Sequence, residues 1–555
     1  MNGNFPYMRV WMVLAISALF IGWVWAKSSS GTLTDGENIY RRGILPSGAS
    51  VAGTREEGGS AAGAVVACVN CHRRSGLGTV EGRTMIPPIT AKYLFRSSDQ
   101  IPAELHSSDM DHAVNLAPRT GHPTRGAYTD ATLARAIRDG ISPDGHPFDY
   151  LMPRYPLDDS AMASLIAYLK ELSSGRVPGV TADTLHFATI VTPDADPARR
   201  KGMLDVLEHF FATKNEFYQA KTPPMQGFRR VEFRVARRWQ LHVWELAGAP
   251  ETWEEQLRNH LRAEPVFAVI SGLGGRDWEP VHRFCEQESI PCLFPNVDLP
   301  VVAEGDFYNV YFSKGVLLEA QLIAREIRDT AAKAHIRRVI QVYRKDDIGV
   351  QAATALRDAM APQSLAILDR ALESRAEDDE LAAALKKVGA EDALILWLRP
   401  DDLRNLPAEP AKSPAVFMSG LMGGLENSPL QGAWRSATSM AYPFELPSKR
   451  AVLLNYPLGW FRIERIPVVA ERTQVDTYIV CSIVSEILND MQDNFVRDYL
   501  LENVEVMLSP RIVNGYYTRL GLAPGQRFAS KGGYIVRFAD PEGKQLIAEG
   551  DWIVP

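Results

Sequence analysis

Leu185-His186-Phe187-Ala188-Thr189-Ile190-Val191 is the segment from which most of this chain can be read. Seven residues dominated by apolar and β-branched side chains, too few for an ordinary helix, read as a buried strand. From Ala198 to about Tyr218 the apolar residues recur at helical spacing, so a long amphipathic helix follows. The alternation then repeats. Leu241 to Leu246 is a strand, and Thr252-Trp253-Glu254-Glu255 has the pattern of a capping box opening a helix to Arg262. Phe267 to Ile270 runs through Ser271-Gly272-Leu273-Gly274-Gly275 into a helix from Trp278 to Glu288, and Cys292 to Phe294 is another short strand. Segments at Val310 to Phe312, Lys314 to Ala331, Val339 to Tyr343, Val350 to Met360, Leu381 to Val388 and Leu394 to Leu398 continue the pattern. Such alternation implies doubly wound parallel sheets covered on both faces. The terminal stretch Tyr517 to Pro555, with strands at Tyr534 to Phe538 and Leu546 to Ala548, reads as a small β extension.

The chain has 555 residues, which at roughly 150 per domain rules out one small domain. Residues 182–555 exceed what a single core comfortably covers, so two α/β lobes are expected there. With 46% apolar and 23% charged residues the composition is that of a globular protein. Lys+Arg number 60 against 67 Asp+Glu, a net charge of −7, and this argues against a protein that coats nucleic acid.

Upstream, Ser173-Ser174-Gly175-Arg176-Val177-Pro178-Gly179 is a Ser/Gly/Pro linker, and before it the pattern is loop-rich. At the start, Val10 to Ala26 is an unbroken apolar or small-residue run after a weakly basic Met1 to Arg9. Residues 1–26 are therefore expected to be a signal peptide or an uncleaved anchor, with everything after them outside the cytoplasm. The domains expected are 32–176 and 182–555. Five cysteines, at 68, 71, 285, 292 and 481, exclude a disulfide-built scaffold. A bridge between Cys285 and Cys292 is open, whereas Cys481 lies in an apolar run and reads as a small buried side chain.

Cys68-Val69-Asn70-Cys71-His72 is the sharpest signal. Two thiols three positions apart on one helical turn reach both vinyl groups of a porphyrin, and the adjacent histidine then ligates the iron, so one covalently attached haem c is expected. A redox dithiol or half a zinc site shares the cysteine spacing but needs no histidine. The following Gly76, Gly78, Gly82, Pro87 and Pro88 read as loop. A sixth ligand is sought downstream, where Met152-Pro153 ends a Gly/Pro loop that follows an amphipathic helix at Thr132 to Asp139 and precedes a helix at Asp159 to Leu172. This arrangement resembles the end of class I c-type cytochromes, small all-α domains in which the last helix packs across the first. By that resemblance Met152 is the distal ligand. His106, His112, His122, His146, Met85 and Met110 remain competitors, because Ser97 to Tyr128 looks inserted.

From about Ala182 to Pro555 the order and lengths of elements resemble type I periplasmic solute-binding proteins, the group with leucine/isoleucine/valine-binding and amide-binding relatives. The resemblance implies a ligand between two lobes, gripped by loops after the strands. Carried over, the contacts are Thr192, Asp194, Ser271, Gly272, Asn296 and Asp298 from one lobe and Tyr343, Arg399 and Tyr442 from the other. Arg229, Arg230, Arg234, Arg237 and Arg238 form a basic cluster that is either a docking face or a solvated hairpin. No nucleophile or acid/base pair stands out, and a non-enzyme is expected. The resulting expectation is a periplasmic monohaem electron carrier fused to a small-molecule-binding module, possible companion of a periplasmic dehydrogenase. The alternative is a solute receptor for transport or sensing, like the substrate-binding proteins of ABC transporters, whose haem is an accessory. Expected partners are a small molecule and a redox protein, not nucleic acid, with a membrane touched only through an uncleaved N-terminal segment.

Overall fold

The computed structural model describes residues 32–55, 59–81, 84–97, 125–148, 150–219, 237–362, 365–373, 378–491, 493–508, 515–517 and 519–555. The expected leader, together with His106, His112, His122, Met110, Arg229, Arg230 and Arg234, lies outside them. Among the described residues no helix is long and apolar enough to cross a membrane. The chain divides into two compact units, Met1–Val177 with Asp490–Tyr499, and Pro178–Asn489 with Leu500–Pro555.

The smaller unit is built on helices α1 (32–42), α2 (Val69–His72), α3 (Asp130–Asp139) and α4 (Asp159–Glu171). Helix α3 begins where the Thr129 hydroxyl accepts the Thr132 N–H while the Thr132 hydroxyl accepts the Thr129 N–H. It stops at Gly140, whose φ of 68° is left-handed. Helix α4 is capped by Asp158, whose carboxylate accepts the Ala161 N–H. Helices α1 and α4 are pressed together at Gly36, where a Cβ would lie 2.2 Å from the Ser164 carbonyl oxygen and 2.6 Å from Tyr168 Cβ. Beside it Tyr40 and Tyr168 pack with ring centroids 5.4 Å apart.

This unit is not purely helical, contrary to the sequence expectation. Ala52–Thr54 pairs antiparallel with Ser60–Ala62, and Thr79–Glu81 with Thr84–Ile86. The second ribbon falls in the Gly/Pro-rich stretch read as loop, where Gly76 (φ 71°) and Gly78 (φ 79°) turn the chain toward it. The segment Asp490–Tyr499, which sequence placed in the second domain, belongs here by its contacts. Arg74 donates to Asp498 at 3.3 Å, Arg41 pairs with the same carboxylate at 3.7 Å, and Lys92 donates to Asn494.

In the larger unit, lobe N holds a parallel sheet of β1 (Thr184–Val191), β2 (Arg238–Glu245), β3 (Ala268–Ile270), β4 (Cys292–Leu293) and β5 (Asn309–Val310) in the order β2-β1-β3-β4-β5. Lobe C holds β6 (Arg338–Arg344), β7 (Ala366–Leu372), β8 (Asp392–Trp397), β9 (Ala415–Ser419), β10 (Thr438–Tyr442), β11 (Tyr534–Phe538) and β12 (Leu546–Ala548), ordered β7-β6-β8-β9-β10-β11-β12. The five strands β7, β6, β8, β9 and β10 run parallel, and β11 and β12 are added antiparallel. The two strands expected near the C-terminus are present with the expected bounds, and they extend this sheet, Met440 pairing with Val536. Central strand β8 is buried throughout, as a sheet covered on both faces requires.

Helices α5 (Pro197–Gln219), α6 (Trp253–Ala263) and α7 (Glu279–Gln287) cover lobe N. Helix α8 (Val316–Thr330) leads into lobe C. After β10 the chain returns, and α10 (Glu471–Met491), which follows α9 (Gly349–Met360) in the helical count, packs on lobe N through Gln474 against Gly202. The expected capping box at Thr252 does not form. A 3-10 turn, Pro250–Thr252, runs straight into α6, so Thr252 is already helical (φ −93°, ψ −10°) and its hydroxyl donates back to Ala249. Among the described residues no cysteine pair is disulfide-bonded; Cys285, Cys292 and Cys481 are buried.

Gly36→Ala should destabilise the smaller unit by about 1–3 kcal/mol, the usual cost of overpacking. A denaturation midpoint that does not move would mean that α1 and α4 separate at little cost.

Candidate functional site

The motif cysteines stand on one short helical turn that ends in His72. His72 is buried, and its Nδ1 lies 3.1 Å from the Pro87 carbonyl oxygen. With Nδ1 as the donor, the lone pair is left on Nε2, the arrangement in which a backbone carbonyl orients a ligating imidazole. Burial lowers the His72 pKa to about 4 against the opposing effect of the Pro87 bond, so the ring is neutral at ordinary pH. Burial likewise pushes the Cys68 thiol up to about 12. A reactive dithiol has its thiol pKa lowered instead.

Met152 is half-buried in a loop fastened on the side of Arg154 and Tyr155. The Arg154 guanidinium donates to the Met152 carbonyl at 2.6 Å, Arg154 and Thr54 exchange backbone hydrogen bonds, and the Tyr155 hydroxyl donates to Val66 at 2.7 Å. The loop is thereby tied to the strand and turn that lead into Cys68. Met85 and His146 stand exposed.

In the larger unit the sequence-derived contacts separate into groups. Thr192 and Asp194 are spent on stapling loops: the Thr192 hydroxyl donates to Asp194 and accepts Gly275 N–H, and Asp194 accepts Arg276 N–H. Ser271 is fully buried with a left-handed φ of 51°, and its hydroxyl meets Thr477 at 2.7 Å and the Asn296 amide at 3.0 Å. Gly272 is required by Trp278, whose ring would lie 2.5 Å from a Cβ there. Tyr343 donates to Asp369 on the neighbouring edge strand. Arg399 is held at both ends by Asp347, at 2.7 and 2.8 Å. Tyr442 donates to Glu426 and accepts from Arg450.

Asp298 is the centre of the arrangement. Its two oxygens take Arg472 of α10 at 2.9 Å and Arg199 of α5 at 3.3 Å. Burial alone would raise its pKa, but Arg199, Arg472 and Arg399 reverse the effect and hold the carboxyl well below its usual range. Next to it a cavity of about 10 Å³ is lined by Asn296, Phe312, Ser313, Arg472, Asp476 and Tyr517, among others. Of the nine contacts expected from sequence, only Asn296 reaches this wall. Sequence reading missed Arg199, Arg472, Asp476 and Tyr517. A signal existed in Arg472-Thr473-Gln474-Val475-Asp476, a polar run opening an otherwise apolar helix with Arg472 and Asp476 one turn apart.

Elsewhere, His282, Glu286 and Asp306 cluster within 4.8 Å. Their atoms are already engaged: His282 bonds Tyr311 and Asp306, and Glu286 accepts the N–H groups of Phe307, Tyr308 and Asn309. The group pins a loop to α7. His186 and His242 bond each other at 3.0 Å, and Arg237 of the basic cluster donates to the Thr181 carbonyl.

No protein-family model matches the chain, and no curated protein matches it. Among solved structures it is similar to a branched-chain amino acid ABC transporter protein from Thermus thermophilus with bound valine, at 10% identity over 68% of this chain and 97% of that one, with a TM-score of 0.50. It is also similar to a fatty acid ABC transporter substrate-binding protein from Thermomonospora curvata (15% identity, 69% and 95% covered, TM-score 0.49). A possible leucine/isoleucine/valine-binding protein from Rhodopirellula baltica SH 1 gives 15% identity, 66% and 97% covered, and a TM-score of 0.49. The larger unit has the two-lobed α/β fold of type I periplasmic binding proteins.

Asp476 makes the cleft sensitive to pH. Burial pushes its carboxyl from 3.8 up to about 7, against the pull of Arg472, Arg199 and Arg450. The folded state therefore holds a proton that the unfolded state releases between these values, and stability falls as pH rises from about 4 to about 7. Asp476→Asn should flatten that part of the profile in urea denaturation followed across pH; an unchanged slope would place the carboxyl in water.

Proposed function

We propose that this chain is an exported solute receptor whose larger unit holds a small molecule in its cleft and whose smaller unit carries one covalently attached haem c. The observation that carries the receptor reading is the polar cavity beside Asp298, at the loop following β4, since open α/β sheets bind ligands outside the carboxyl ends of their strands. The fold shared with the Thermus thermophilus protein supports the same reading.

A second reading, in which electron carrying is the main task, is favoured by one contact: the bond from His72 Nδ1 to Pro87, which fits a ligating histidine. The donor set suits the haem. Cys68 and Cys71 would form the thioether links, and His72 Nε2 and the Met152 sulfur, the latter in a loop secured by Arg154 and Tyr155, would bind the iron. When bound, such a haem supplies one-electron redox chemistry, and a thioether ligand raises its potential. Pro87 fixes the ring of His72, and the buried setting of that ring keeps water from it. A periplasmic dehydrogenase would then be the redox partner.

Acidified organic solvent should leave the pigment on the chain, and Met152→Ala should remove the weak near-infrared charge-transfer band of the ferric protein. Pigment that extracts freely sinks the haem reading, and a band that survives the substitution sinks Met152. To rank the two roles, solute affinity is measured by calorimetry in the ferric and ferrous states. Equal affinity marks a receptor with an accessory haem, whereas rapid reduction by a periplasmic dehydrogenase with no solute bound marks an electron carrier.

A further inference from the structure

Building on the receptor reading, we propose that the cleft takes a carboxylic acid without an ammonium group, held by the N–H groups of Arg472 that Asp298 does not use and by the carboxyl of Asp476 as a hydrogen-bond donor. Charge around the cavity is uneven. Arg399 has Asp347 and Arg450 has Glu426, one carboxylate for each guanidinium. Asp298 alone serves two, Arg199 and Arg472, and among the described residues no second carboxylate forms an ion pair with either. The excess lies on Arg472. Arg199 uses its three nitrogens on Thr473, Asp298 and the Asn296 carbonyl. Arg472 donates to Asp298 through one nitrogen, and among the described residues no other oxygen takes its remaining N–H groups, although the side chain lines the cavity.

Backbone dipoles add to this charge. Arg199 and Arg472 reach Asp298 from the first turns of α5 and α10, and the Asp298 carbonyl accepts the Val316 N–H that opens α8. Three helices thus begin beside one carboxylate, and the start of a helix carries partial positive charge.

Asp476 supplies the second donor. The residue is 2% exposed, lines the same cavity and has an Oδ1 without a hydrogen-bond partner. Burial keeps its proton up to about pH 7 against Arg472 of its own helix, Arg199 and Arg450, and Tyr517 is the further titratable group facing it. A protonated carboxyl next to a guanidinium presents two donors, and a solute carboxylate accepts from both while balancing the excess charge. An amino acid would bring an ammonium group as well, and the wall offers it no anion. Among the described residues Asp476 is the one acid there, and it is neutral below about pH 7.

The test is calorimetry on the full chain at about pH 6, with isovalerate, isovaleramide, isobutylamine and valine as probes of closely matched shape. The wild type should bind isovalerate roughly tenfold or more tightly than isovaleramide or valine, and isobutylamine not at all. Raising the pH from about 7 to about 8 should weaken isovalerate by up to about tenfold as Asp476 loses its proton, and Asp476→Asn should remove that slope. Arg472→Gln, which leaves Asp298 paired with Arg199, should bring acid and amide to equal affinity. A wild type that prefers valine, the amide or the amine overturns the proposal, and so does isovalerate affinity that stays constant from about pH 7 to about 8, a result that needs no variant to fold. A slope that persists in Asp476→Asn removes Asp476 from the site. Where all four probes are silent, a broader panel of acids, amides, amines and amino acids decides. A solute other than a simple acid that binds leaves the receptor reading and removes the acid, and silence across the panel removes both.

Discussion

Two arginines from different helices converge on one buried carboxylate, and the organisation of the larger unit depends on that convergence. Asp298 follows β4, Arg199 lies near the start of α5 and Arg472 near the start of α10, so a single pair of ionic contacts draws together three segments far apart in sequence. Removing one partner of such a cluster strands a charge in a dry environment, which costs far more than the pairing itself contributes. The surrounding polar groups follow from this demand. Asn296 turns its carbonyl to Arg199 and its amide to Ser271, and Ser271 in turn meets Thr477 on α10.

Strand and helix alternation was legible because parallel sheets buried on both faces leave short apolar runs bounded by turns, as at Leu185 to Val191 and Leu394 to Leu398. Topology was harder. Strands β11 and β12 were recognised as strands, but their place beside β10 depends on a pairing between residues nearly a hundred positions apart, which local pattern does not encode. The capping pattern at Thr252 failed for a local reason, since Pro250 starts a tighter turn that uses up the residue meant to be extended.

The cleft was the least legible part. Analogy placed contacts directly after strands, and there Thr192, Asp194 and Gly272 serve the loops themselves. The charged residues that meet at the cavity come from helices, where a sequence alone does not say which face is turned inward. By contrast His72 was legible at once, because its spacing from two cysteines is a chemical requirement, while the bond to Pro87 that orients it spans fifteen residues and shows only in three dimensions.

The segment Asp490–Tyr499 bears on how the two units could ever be studied apart. A recombinant fragment ending at Val177 would carry every motif residue from Cys68 to Met152 and still lack ten residues of its own unit. Arg41 and Arg74 would lose the carboxylate they share, and Tyr93 and Lys92 would lose Asn494. Cutting at the linker therefore does not yield the N-terminal unit whole, and swapping it between proteins would require grafting a second, distant piece of chain.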